Sequence, residues 1–180
     1  MWIDIVDKKI IVIVIVLLST IAISGCISTP LSNVNEKIDD LNQQIETGDN
    51  NFNEAVNHIN EKNYQSASDS NQKAALGYSK CITFLDNISE DKNQLNESIY
   101  IEYLNLVKQE VECKHNATVY LDKAINAYST SSNSTGNSYS TTANNLMSDA
   151  IELQKERNNI VNNNPDKFKI EHKQFPFNYI

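Results

Sequence analysis

Glycine and proline are scarce, at 4 and 3 of 180 residues. Tight turns and sheet corners draw on both, so the scarcity speaks against an all-β fold. Four scattered glycines cannot build a phosphate-cradling loop. No Gly-x-Ser-x-Gly nucleophile elbow occurs either. The three histidines, His58, His115 and His172, have no partner at the helical spacing of a zinc protease. Glu112, Cys113 and His115 are close in sequence but do not share one helix face, so no metal and no cofactor is expected. Net positive charge is absent too: the formal charge is −8. Asp4, Asp7, Lys8 and Lys9 cancel within the first 25 residues, so all of it belongs to the body. An acidic body argues against nucleic acid and against direct lipid-headgroup binding.

What is present in excess is asparagine, 26 residues spread along the whole chain. No segment or face concentrates it, so it marks composition rather than a site. The 180 residues are enough for one domain with a real core. Carboxylate pairs such as Asp39-Asp40 and Glu90-Asp91 stand in polar stretches, as surface or capping groups do.

The apolar run Ile10–Ile23 (IIVIVIVLLSTIAI) follows Lys8-Lys9 and ends in small residues. It has the layout of a secretory signal and falls short of the roughly 20 apolar residues of a membrane span. Ile23-Ser24-Gly25-Cys26 resembles the lipobox of prokaryotic lipoproteins: an aliphatic residue, two small residues, then cysteine. The resemblance covers residues 1–26 and implies cleavage after Gly25 and lipidation of Cys26. An uncleaved anchor is the alternative. Both place the body on the extracytoplasmic face of the cell membrane, because the lysines mark the inner flank. Residues 26–33 then read as a tether, with Pro30 delaying a helix start.

From residue 34 to 164 the apolar period is helical, which predicts an all-α antiparallel bundle or stacked hairpins of about five helices. Val34, Ile38, Leu41 and Ile45 form one stripe, with Gly48 as a stop and Asp49 or Asn50 as the next cap. Phe52, Ala55, Val56 and Ile59 start a second helix, and Tyr64 to Ile88 form a third. Leu95 to Tyr128 form a fourth, with one turn of the stripe skipped after Leu106. The Ser/Thr-rich stretch 129–141 reads as a loop before a last helix from about Thr142 to Asn162. Residues 165–180 read as an extended aromatic tail that docks on the bundle or stands exposed.

Residues 54–75, with Ala55, Asn63-Tyr64, Ala67 and Ala74, resemble a single tetratricopeptide hairpin. No second copy follows at the 34-residue period of that family. With Cys26 set aside for lipid, Cys81 and Cys113 are either a disulfide or two small buried thiols. Sequons start at Asn87, Asn96, Asn116 and Asn133, about as many as this much Asn, Ser and Thr produces by chance. They are acceptors if the host glycosylates exported proteins. The expected role is therefore non-catalytic: an interaction module that binds a protein or envelope component. The alternative is a solute- or cofactor-binding accessory subunit of an envelope complex, whose pocket would be lined by Tyr78, Tyr103, Tyr120 or Tyr128.

Overall fold

The computed structural model describes residues 32–90 and 98–165, with side chains from 41–87 and 98–165. The signal or anchor segment, Cys26, the sequon at Asn96, His172 and the aromatic tail lie outside the described residues. Four helices follow one another: α1 (Ser32–Asn60), α2 (Tyr64–Glu90), α3 (Ser98–Ser129) and α4 (Asn133–Asn163). No strand occurs among the described residues. Packing follows chain order, α1 on α2, α2 on α3 and α3 on α4, with a lighter contact between α1 and α3.

Among the described residues the all-α class stands, with four helices in place of the expected five. Gly48 does not stop a helix; α1 runs through it. Its missing side chain serves a close crossing instead. The ring of Tyr78 from α2 lies where a Cβ would stand, with Cε1 2.6 Å from that position. A Cβ on Gly77 would stand 3.6 Å from the Gly48 Cα, so the two glycines meet at the crossing.

The second correction concerns residues 129–141. Only Thr130 to Ser132 form a turn, and α4 begins at Asn133. Gly136, Ser140 and Ala143 are buried, continuing the spacing of Met147 and Ala150 as one stripe of small residues. Thr141 and Thr142 donate their hydroxyls to the carbonyls of Asn137 and Ser138 four residues earlier. That satisfies groups that would otherwise favour a loop. A Cβ on Gly136 would stand 2.5 Å from the Tyr128 ring, so tight packing on α3 overrides weak helix propensity.

The two hairpin turns are built alike. Lys62 (φ 61) and Ser131 (φ 60) both take the left-handed conformation. Asn63 donates its N–H to His58 O and Lys62 to Ile59 O; 69 residues later Ser132 donates to Ala127 O and Ser131 to Tyr128 O. Each pair of bonds closes one helix with a Schellman motif. Ala67 and Gly136 then donate to Asn63 and Ser132 as the next helices begin. The turn regions 58–67 and 127–136 thus match at this offset, although their sequences differ. Both turns lie at one end, where the rings of Tyr64 and Tyr128 stack at 6.3 Å. Ala55, Ala67 and Ala74 are fully buried. A 34-residue unit does not describe this hairpin, whose helices alone are 29 and 27 residues long.

Gly48→Ala separates propensity from packing. Propensity alone would stabilise α1 by about 1 kcal/mol. The buried Tyr78 ring cannot give way, because its hydroxyl is tied to Asp49. A net loss of about 1–3 kcal/mol is expected by denaturant unfolding, and a gain would contradict the crossing.

Candidate functional site

The core is not wholly apolar. Asp49, Glu110, Lys114 and Arg157 are all buried, Lys114 to 1% exposure and Arg157 to 8%. Each occupies a core position of its helix. Asp49 fills the gap between Ile45 and Phe52 in α1. Glu110 and Lys114 take successive turns of α3 between Val107 and Ala117, and Arg157 lies between Ala150 and Val161 in α4.

They form one chain of alternating charge. Lys114 Nζ donates to Asp49 Oδ2 at 2.8 Å and sits 3.0 Å from Glu110 Oε1. The second contact is an ion pair without hydrogen-bond alignment, so Glu110 Oε1 takes charge but no directed donor. Glu110 Oε2 accepts from Arg157 Nε at 2.6 Å. Two phenols extend the chain: Tyr78 Oη donates to Asp49 Oδ1 at 2.5 Å, and Tyr103 Oη accepts from Arg157 Nη1 at 3.4 Å. The set spans all four helices and is neutral as a whole, with two carboxylates and two cations.

Burial sets the proton affinities. It raises Asp49 above the usual carboxylate range, and Lys114 pulls it only part of the way back. Burial works to lower the Lys114 ammonium, but Glu110 and Asp49 outweigh it and hold that group above its ordinary value. Burial likewise works against the Arg157 charge, and Glu110 more than restores it. The Tyr78 phenol is pushed far up by burial and by the Asp49 carboxylate. Tyr103 is raised by burial, with Arg157 opposing.

This arrangement binds the helices to one another. Its charges are spent on each other and turn no free acid, base or nucleophile toward solvent. Sequence reasoning took Asp49 for a helix cap, whereas it is buried inside α1, and missed the other three, although the skipped turn after Leu106 was the trace of Glu110. The tyrosines expected to line a pocket are placed otherwise. Tyr78, Tyr103 and Tyr128 are buried, with the Tyr128 hydroxyl bonded to Asn137 and Ser140, and Tyr120 is half-buried beside Tyr139.

Cys81 and Cys113 are free thiols. Cys81 packs against α1, with Sγ 4.0 Å from Leu41 O, and burial pushes it up to about 12. Cys113 is half-buried on the side of α3 toward Asp149 of α4. The two thiols thus serve different helix interfaces, and the disulfide considered from the sequence is not formed. Asn87, Asn116 and Asn133 are exposed, on α2, α3 and the first residue of α4. Among the described residues no group of His, Cys, Asp and Glu is arranged to hold a metal ion. No helix there is long and apolar enough to cross a membrane.

One open groove lies between α1 and α2, lined by Gln43, Gln44, Thr47, Asn51, Lys73 and Lys80 around Gly77 and Leu76. Leu76 is 58% exposed. The groove offers amide, hydroxyl and ammonium groups around one apolar side chain, which suits recognition better than chemistry.

The pH dependence has a definite sign. Unfolded tyrosine ionises near pH 10 and unfolded cysteine between about 8 and 9, whereas Tyr78, Tyr103 and Cys81 keep their protons to higher pH when folded. Above those values the unfolded chain binds fewer protons than the folded one. The contribution of these three groups is therefore intact below about pH 8 and is lost as pH rises further. In a spectrophotometric titration followed with circular dichroism, Tyr78 and Tyr103 should ionise only as the helices unfold. Ionisation of all the tyrosines with helicity retained would contradict the burial of these phenols.

No protein-family model, no curated protein and no solved structure matches this chain.

Proposed function

We propose that this is a lipid-anchored extracytoplasmic protein, attached through Cys26, whose helical body is a non-catalytic interaction module for a protein or envelope component. The observation that carries the reading is the sequence Ile23-Ser24-Gly25-Cys26 at the end of a 14-residue apolar run preceded by Lys8-Lys9. Two features of the body support it. The buried charges are consumed in mutual pairing, and the outer face of α1–α2 carries an open groove with polar groups, Leu76 and two lysines.

Only residues 27–31 separate Cys26 from the start of α1. On this reading the N-terminal end of α1 is membrane-proximal. The turns at Lys62 and Ser131 lie a helix length away, about 40 Å. The body can then present its surface to partners while the acyl chains hold it in place; stable anchoring of this kind takes two lipid chains or one chain with a second signal.

Intact mass spectrometry of the protein purified from membranes tests the reading. The expected mature chain begins at Cys26 and carries the added mass of acyl groups. Cys26→Ala should leave the precursor uncleaved and unacylated. A wild-type chain that begins at Met1 with an unmodified Cys26 would overturn the proposal.

A further inference from the structure

The α3–α4 hairpin carries an apolar ladder that its twin lacks. Leu106, Cys113 and Tyr120 recur every seven residues on α3, and Tyr139, Leu146 and Leu153 do the same on α4; all six are half-buried. The rings of Tyr120 and Tyr139 are 6.5 Å apart across the hairpin. Because the helices are antiparallel, seven residues back along α3 and forward along α4 bring Cys113 level with Leu146 and Leu106 level with Leu153. One more step reaches Ile99 and Ile160, also half-buried.

This edge faces away from the other hairpin. Cys113 lies about 140° around α3 from Thr118, whose carbonyl accepts the Asn71 amide of α2. In α1–α2, the positions equivalent to Cys113, Tyr120 and Leu146 are Gln44, Asn51 and Gly77, all on the polar groove. At these three positions the edge carries polar side chains or none in one hairpin and apolar ones in the other, whereas Phe84 and Leu153 are apolar in both. Four residues before Leu106, Leu153 and Ile160 stand exposed Glu102, Asp149 and Glu156, which place an acidic row beside the ladder. Lys123, an exposed cation beside the ladder, is at its far end, over the rings of Tyr120 and Tyr139.

We propose that this ladder is the docking groove for the chain's own segment 166–180. That segment follows directly on α4, which ends beside Ile160. Pro165 favours an extended start, because it bars its predecessor from helix. Fifteen extended residues reach about 50 Å, whereas the ladder from Ile160 to Tyr139 spans about 32 Å of helix. Phe168, Ile170 and His172 alternate with Lys167, Lys169, Glu171 and Lys173, and Phe175, Phe177 and Tyr179 follow after a one-residue slip. One face of an extended strand is then apolar, which matches the ladder, while the other, mainly basic, points away from it.

The rise per residue fixes the register. An extended chain running back from Asn164 comes level with Leu146 and Cys113 after about eight residues, at His172. The side chain of that residue shares a face with Phe168 and Ile170. The test uses full-length protein in membrane vesicles, bearing His172→Cys or Asn178→Cys, with a copper–phenanthroline oxidant and circular dichroism to verify the fold. His172→Cys should form an intrachain disulfide with Cys113 at least tenfold faster than Asn178→Cys. Equal rates, no link, or links between chains would each overturn the assignment; the last would mean that a second copy occupies the groove.

Discussion

Two carboxylates and two cations can persist inside a helical core only as a closed set, because each alone would cost several kcal/mol of lost hydration. Asp49, Lys114, Glu110 and Arg157 meet that condition by alternating in sign across α1, α3 and α4, with the Tyr78 and Tyr103 hydroxyls at the ends. The rest of the packing is arranged around the set. Gly48 lets the Tyr78 ring approach α1, which places its hydroxyl on Asp49, the residue next to that glycine. Such a network adds little net stability over a well-packed apolar core. It makes misalignment expensive, since a hairpin shifted by one turn would leave buried charges unpaired. Register between the two hairpins is the property it supplies.

That matters because the hairpin turns are near copies in architecture. Both close with a left-handed, non-glycine residue in a Schellman turn, and both use a tyrosine ring against a glycine to bring helices together. Apolar packing alone could tolerate several alignments of two such units. The asymmetric placement of charge, one carboxylate in the first hairpin and two cations and a carboxylate in the second, accepts one. The divergence of the outer edges at the positions of Cys113, Tyr120 and Leu146, polar or without a side chain in α1–α2 and apolar in α3–α4, gives each unit a different surface there.

The helical class was legible because apolar residues at spacings of three and four run through most of the chain. Two boundaries were not. Gly48 and Gly136 read as breaks because propensity treats glycine as a breaker, whereas each is the small partner of a large ring supplied from another helix. That partner is distant in sequence or across a turn, so local spacing does not reveal it. The stripe of Gly136, Ser140 and Ala143 was present at helical spacing but reads as loop composition unless small residues are counted as core. The charged network was hidden for a related reason. Lys114 resembles any surface lysine until α1 and α3 are brought together, and the only local trace of the network was the gap in the apolar stripe at Glu110. The motif behind the proposed attachment at Cys26 is local by nature and lies outside the described residues.

The central claim is that the buried charges make the four helices one cooperative unit. Residue-resolved hydrogen exchange tests it by comparing amides of α1 around Asp49 with those of α4 around Arg157, in the wild type and in Lys114→Met. The account predicts one shared opening free energy in the wild type, lowered in both helices by about 3–5 kcal/mol in the variant, as for a buried pair left without its partner. Separate opening energies for α1 and α4 in the wild type, or a variant in which α4 is unaffected, would contradict it.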